Sequence, residues 1–265
     1  MTTDLLVEGR HFLPDADPRK LGHKCLAVNL SDLAAAGATP RWFTLAVALP
    51  GIDQEWIAEF CAGLFALAEK HGIELVGGDT TRGPVRTFSI TALGEVPSGQ
   101  ALSRAGANPG DDLWVSGALG GAALALVHPE IAGAAARLHE PQPRVALGTK
   151  LRGLASAAID VSDGLAGDLG HLLERSGVGA VVRYADIPKE GSFKEIKDGD
   201  LERRCVLSGG DDYELLFAVP GNKRERARAL GDVTLIGEIV AGKELKILDA
   251  QGRAVPHQGG FDHFK

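Results

Sequence analysis

Ile73-Glu74-Leu75-Val76-Gly77-Gly78-Asp79-Thr80-Thr81-Arg82 joins a short apolar run to two glycines, an acid and two hydroxyls. The apolar run predicts a short buried strand over 73–76. The glycines let backbone and carboxylate approach one ligand together at its C-terminal end, where open α/β sheets hold their ligands. A carboxylate beside small residues suits a hard cation, which takes oxygen ligands. The stretch therefore points to a metal-bound phosphate. The same grammar returns in Asn29-Leu30-Ser31-Asp32, in Asp160-Val161-Ser162-Asp163-Gly164 and in Gly209-Gly210-Asp211-Asp212.

Outward from that strand, helical and extended patterns alternate. Upstream, Leu26, Leu30 and Leu33 recur at i, i+4, i+7, which predicts a helix over 24–36 closed by Gly37, with Asn29 and Asp32 beside its apolar stripe. Residues 42–49 read as a strand ended by Pro50-Gly51. Asp53 then caps a helix carrying Ile57, Phe60, Cys61, Leu64 and Ala68 on one face, and Gly72 stops it. Downstream, 87–93 is a further strand and Pro97-Ser98-Gly99-Gln100 a boundary. Beyond it, strands are expected at 113–116, 157–161, 214–219, 233–240 and 245–248. A turn falls at Ser162-Asp163-Gly164, an amphipathic helix over 165–176 and a charged helix over 222–230. The chain divides into two domains, 1–98 and 99–265. Gly77-Gly78-Asp79 and Gly209-Gly210-Asp211 hint at a repeat too short to assert.

The 265 residues suffice for two domains with real cores. A hydrophobic share of 45% with 24% charged residues excludes a disordered chain, and 35 glycines imply many tight turns. The formal charge of −7 speaks against a nucleic-acid partner, since a phosphate backbone needs a clustered basic surface. Cys25, Cys61 and Cys205 are odd in number and widely spaced, which fits neither a disulfide framework nor a zinc pattern and suits a reducing cytoplasm. No stretch approaches the ~20 apolar residues of a membrane span.

There is no lysine-bearing phosphate loop, no protein-kinase catalytic-loop signature and no nucleophile elbow. If phosphate is handled, the positive charge must come from divalent ions on Asp4, Asp32, Asp79, Asp160 and Asp163, with Arg104 adding a planar donor fork. Each acid has a structural alternative as a helix cap or turn residue. That alternative is strong for Asp163, before Gly164 and a helix, and weak for Asp32, which sits in mid-helix and needs a partner. His11 is a ligand contact or a loop histidine. Phe261 stacks on an aromatic ligand or packs the C-terminus.

Taken together, Thr2-Thr3-Asp4-Leu5-Leu6-Val7-Glu8-Gly9-Arg10-His11-Phe12, the segments 29–37, 77–84 and 160–171, the segment 208–217 and Gly260-Phe261-Asp262-His263-Phe264 resemble the thiamine-monophosphate kinase family. It belongs to the superfamily of aminoimidazole ribonucleotide synthetase and selenophosphate synthetase. The resemblance implies an α/β (α+β) two-domain aminoimidazole ribonucleotide synthetase-like fold with mixed sheets flanked by helices. Residues 1–98 would bind ATP and metal and form a homodimer, and 99–265 would complete the cleft. It implies ATP as co-substrate, thiamine monophosphate as acceptor and several Mg²⁺ ions on Thr2, Thr3, Asp4, Asp32, Asp79, Asp160 and Asp163. Gly78, Asp79, Arg104 and Ser162 match nucleotide contacts, and His11, Asp211 and Phe261 match positions facing thiamine monophosphate. Asp211 stands where glutamate is usual, and Phe261 where tyrosine or tryptophan is usual. Family members carry a further segment before this point, with a Gly-Asp-Asp run that supplies another metal ligand, so impaired activity of these residues alone is the expectation. The rival readings are another ATP-using enzyme of the superfamily and a non-catalytic nucleotide-binding protein.

Overall fold

Asp17-Pro18 is a helix start that the leucine spacing does not reveal. In the computed structural model, which describes residues 1–257 and 259, the Asp17 carboxylate accepts from the amides of Arg19 at 2.9 Å and Lys20 at 3.1 Å. Pro18 needs no amide partner in that first turn. Helix α1 (Pro18–Ala35) therefore begins six residues before position 24. Gly37, at φ +67°, follows its end. Helix α2 (Gln54–His71) starts at the expected Asp53 cap and stops at Gly72, which is left-handed at φ 61°. The two helices touch through glycines. A Cβ on Gly22 would lie 2.0 Å from the Phe60 carbonyl oxygen, and one on Gly63 1.8 Å from that of Arg19, so any side chain at either position would prise the pair apart.

The first sheet contains β1 (Thr2–Val7), β2 (Thr39–Leu49), β3 (Glu74–Arg82) and β4 (Thr87–Glu95) in the order β1-β4-β2-β3. All its pairings are antiparallel except β2 with β3. The reading of 73–76 as a short buried strand needs correction: only Ile73 is buried, and all nine residues of β3 are exposed. The reason is topological, because β3 is the sheet edge. The Gly-Gly-Asp run lies inside this strand rather than in a turn after it, and Val76 bulges where the register shifts opposite Phe43 and Thr44. A Cβ on Gly78 would meet the Leu45 carbonyl oxygen at 2.0 Å, so this glycine admits the neighbouring strand.

The second sheet contains β5 (Asp111–Ser116), β6 (Ala157–Asp160), β7 (Gly179–Arg183), β8 (Leu215–Pro220), β9 (Val233–Val240) and β10 (Leu245–Leu248). Their order is β10-β7-β9-β5-β8-β6, antiparallel except β10 with β7. Around it lie α3 (Gly121–Val127), α4 (Ala132–His139), α5 (Val145–Leu151), α6 (Leu165–Ser176), α7 (Phe193–Ile196), α8 (Gly199–Ser208) and α9 (Arg224–Arg228). Strand alternation sends Leu113, Val115, Leu216 and Ala218 into a core shared with α6 and α8. Trp114, Leu215, Phe217 and Val219 enter a second core shared with α1, α2 and the first sheet. Covered on both faces, β8 reads as an unbroken apolar run, and β5 is apolar through Leu113, Trp114 and Val115. Helix α1 packs on β4, β1 and α2 on one side and on β6, α4 and α5 on the other. It is the wedge between the two sheets, so its polar residues meet the seam. Among the described residues no helix is long and apolar enough to cross a membrane.

Just before β8, Glu214 is 1% exposed and takes hydrogen bonds from Ser116 Oγ at 2.6 Å, Arg137 Nη1 at 2.8 Å, and Arg144 Nε and Nη2 at 2.6 and 2.7 Å. Removing a buried ion's partner strands the opposite charge. Because both arginines are partly exposed and can rehydrate, Glu214→Ala is expected to lower unfolding free energy by about 3 kcal/mol, at the low end for a broken buried pair. Urea denaturation checks this, and a loss below about 1 kcal/mol would show the network to be ornamental.

Candidate active site

Three acids from three elements lie near enough to feel one another's charge where α1 wedges between the sheets. Asp4 stands on β1, Asp32 in the last turn of α1, and Asp160 at the end of β6. Strand alternation turns Thr2 and Asp4 to the same side of β1 as buried Leu6. The Thr2 hydroxyl donates to Asp32 Oδ2, and the Ser31 hydroxyl donates to Asp160 Oδ2 at 2.6 Å. Asp32 lies in the last turn of α1 rather than in mid-helix, and it has the partner the sequence reading called for.

The electrostatics of this cluster are unfavourable to its own charges. Burial, and then the carboxylates of Asp32 and Asp160, push Asp4 up to about 7. Burial and Asp32 push Asp160 up to about 7, against the Ser31 hydrogen bond. Burial raises Asp32 too, offset by the Thr2 hydroxyl and the Arg104 guanidinium. Arg104 lies on the exposed stretch between β4 and β5 and is near enough for its charge to act on Asp32. Asp4 Oδ2 is buried without a hydrogen-bond partner. Like charges gathered out of water with an orphaned oxygen fit a cation, and a set of carboxylate and hydroxyl oxygens fits a hard one. Among the described residues no three or more His, Cys, Asp or Glu side chains converge on one point.

Two loops close the seam from the second sheet. In the first, Asp168 accepts from the amides of Ser162 and Asp163, both at 2.9 Å, and burial raises its own carboxyl to about 7. Of the cap-or-turn alternative for Asp163, the cap does not hold and the turn does: the cap residue is Gly164, Asp163 lies in the bend before it, and Asp168 serves the loop amides from inside the helix. In the second, the amides of Asp211 and Tyr213 donate to the carbonyls of Ser162 at 2.9 Å and Val161 at 2.8 Å, stitching one loop to the other. Asp211 and Tyr213 adopt φ 67° and 50°, a left-handed backbone that non-glycine residues keep only where their surroundings impose it. Asp211 Oδ2 receives Lys24 Nζ at 2.8 Å and Oδ1 receives the Tyr213 hydroxyl at 2.8 Å.

The remaining positions lie apart. Thr3 points to the opposite face of β1, where its hydroxyl shares a 2.8 Å hydrogen bond with that of Thr91. His11 occupies the turn after β1, and the Val7 amide donates to its Nδ1 at 3.0 Å, which puts the ring proton on Nε2. Asp79 is level with Ala46, Ser89 and Leu5 across the sheet, three strand spacings or about 14 Å from β1, and its Oδ1 accepts from the Thr80 amide. Within one chain Gly78 and Asp79 are thus not brought to the acid cluster. Phe261 lies outside the described residues. Sequence reasoning missed Ser31, Lys24, Asp168 and Tyr213. Ser31 stands inside one recurring acid motif and Tyr213 directly follows another, and Lys24 opens the apolar run of the helix, a signal that was legible.

Residues 1–96 match the AIR synthase related protein, N-terminal domain, and residues 108–250 the corresponding C-terminal domain. The thiamine-monophosphate kinase of Salmonella typhimurium is 43% identical over 280 residues, covering 100% of this chain and 86% of its own length. A crystal structure of thiamine-monophosphate kinase from Stenotrophomonas maltophilia is 44% identical at a TM-score of 0.89, covering 96% of this chain and 85% of that one. The structure of AaThiL complexed with AMPPCP and TMP is 32% identical at a TM-score of 0.88, covering 98% of this chain and 85% of that one.

Proposed function

The chain belongs to the thiamine-monophosphate kinases of the AIR synthase related family, and we propose that it transfers the γ-phosphoryl group of ATP directly to the phosphate of thiamine monophosphate. An oxygen of the acceptor phosphate forms a bond to the γ-phosphorus as the bond to the β–γ bridging oxygen breaks, giving thiamine diphosphate and ADP. The acceptor is already largely anionic near neutral pH, with a second phosphate pKa of about 6, so no strong general base is required. The match of the whole chain to kinases of this substrate carries the reading, and the acid cluster supplies its chemistry.

The residues divide the work by charge. Asp4, Asp32, Asp160 and Asp163, with the hydroxyl of Thr2, would hold several Mg²⁺ ions, whereas the Thr3 hydroxyl faces away from them toward Thr91. Bound Mg²⁺ would neutralise the phosphates and the charge that develops in transfer. Arg104 presents a planar fork to the same phosphates, and Ser162 and Gly78-Asp79 face the nucleotide. His11, Asp211 and Phe261 face the thiamine monophosphate. Catalysis rests on positioning two anionic reactants rather than on a covalent intermediate.

A homodimer built on the first sheet belongs to the same proposal. The β3 edge is bare along its length, with Val76 at 57% exposure and Phe65 and Leu75 beside it. Exposed apolar edges are rarely left unpaired. A two-fold pair with β3 of each copy alongside β1 of the other closes both edges and carries Gly78 and Asp79 of each copy to the Asp4 carboxylate of the other. Light scattering is expected to give a dimer mass and Val76→Lys a monomer mass with weakened nucleotide binding. A monomeric parent would overturn this arrangement. A cytoplasmic setting accords with Cys25, Cys61 and Cys205 all being unpaired.

Phosphorus NMR of purified protein with ATP, Mg²⁺ and thiamine monophosphate tests the activity. Thiamine diphosphate should rise in step with ADP. ATP loss yielding only inorganic phosphate would refute the acceptor, and ATP binding with no turnover of either kind would favour a nucleotide-binding protein instead.

A further inference from the structure

Lys24 is the only charged residue among the buried positions of α1, at 5% exposure. A buried ammonium needs a partner, and its partner is Asp211, 187 positions away on the loop stitched to Val161 and Ser162. The same helix reaches the acid cluster through Ser31 and Asp32, so α1 touches both halves of the site. Lys24 on one oxygen and the Tyr213 hydroxyl on the other fix the Asp211 carboxylate in rotation, while a third of its side chain stays exposed. The backbone of this loop is left-handed at both Asp211 and Tyr213, and the Lys24 contact is the side-chain tie from the first sheet's helix that holds it there.

We infer that Lys24 is a positioning residue for the acceptor, acting through Asp211 to preset a carboxylate that receives the cationic end of thiamine monophosphate. The inference rests on the substrate-facing reading of Asp211. A fixed anion suits the thiazolium and amino-pyrimidine of thiamine and has nothing to offer the phosphates of ATP. Loss of its orientation should therefore fall on one substrate only.

Titration calorimetry of the full chain with thiamine monophosphate, and separately with Mg²⁺ and AMPPCP, separates the possibilities. Lys24→Met is expected to weaken thiamine-monophosphate binding by roughly tenfold or more, the effect of losing a hydrogen bond to a charged group, with AMPPCP binding unchanged. Tyr213→Phe, which leaves the packing intact, is expected to shift the same ligand in the same direction, and it carries the test if the Lys24 variant does not fold. Asp211→Asn should weaken thiamine-monophosphate binding as well, and Lys24→Met combined with Asp211→Asn should be no worse than Asp211→Asn alone. If Asp211→Asn has no effect, the substrate-facing reading fails and this inference with it. If Asp211→Asn weakens binding while Lys24→Met and Tyr213→Phe do not, or if both ligands weaken equally, the positioning role is overturned and the kinase reading stands.

Discussion

Asp32→Asn is expected to lower Mg²⁺-dependent formation of thiamine diphosphate by at least about 10²-fold, the scale on which removing one preorganised charge-stabilising group acts, while the protein folds as before. The amide is isosteric with the carboxylate, so the Thr2 hydroxyl can still donate to it and the packing of α1 is untouched. What disappears is one negative charge from a cluster that raises the carboxyls of Asp4 and Asp160. In the absence of metal that loss relieves repulsion, so thermal stability should stay level or rise. A variant that is at least as stable and far less active marks a residue kept for function against the interest of the fold. Circular dichroism melting beside the turnover assay reads both halves. Near-wild-type turnover would remove Asp32 from the cation set, and a collapse in melting temperature would make the activity loss uninformative about metal until Asp160→Asn is measured in the same way.

How far the sequence discloses this site depends on which interactions are local. The helix over 165–176 and the strands over 233–240 and 245–248 are recovered with the bounds their periodicity predicts, because leucine spacing and flanking glycines are short-range signals. The acid motifs around Asp32 and Asp160 are legible for the same reason. β3 is misread because burial of a strand depends on what lies beside it in the sheet, and nothing in Leu75-Val76-Gly77-Gly78 says that it is an edge. Asp163, directly before Gly164 and a helix, reads locally as a cap or turn residue, yet the cap position falls to Gly164. The loop amides of Ser162 and Asp163 turn instead to Asp168 inside the helix, a contact that no local pattern announces. The Lys24–Asp211 pair joins distant segments and appears only when α1 is seen as the wedge between two sheets. The strong family resemblance compensates for such non-local gaps at the level of function, and the match over the whole of this chain, at 86% of the relative's length, bears it out.

Cation binding is expected to be steeply pH-dependent below neutrality. Asp4 and Asp160 are each raised from 3.8 to about 7. A carboxyl raised on folding holds its proton longer in the folded chain than in the unfolded one. Its contribution to stability is therefore fully present below about pH 4 and is lost as pH rises through about 7. Metal-free protein should accordingly weaken across that window, and added Mg²⁺ should restore more melting temperature at about pH 8 than at about pH 5.5, since binding stabilises the folded state. Below about 7 the ion must displace up to two coupled protons, so its apparent affinity should fall by about tenfold per pH unit for each proton displaced and level off above about 8. Calorimetry in two buffers of different ionisation enthalpy counts the protons released. Asp4→Asn should remove one of them and make the pH dependence shallower. An affinity for Mg²⁺ that stays flat between about pH 6 and 8, with no proton release, would mean that the ion binds elsewhere and that the repulsion among Asp4, Asp32 and Asp160 is relieved by another partner.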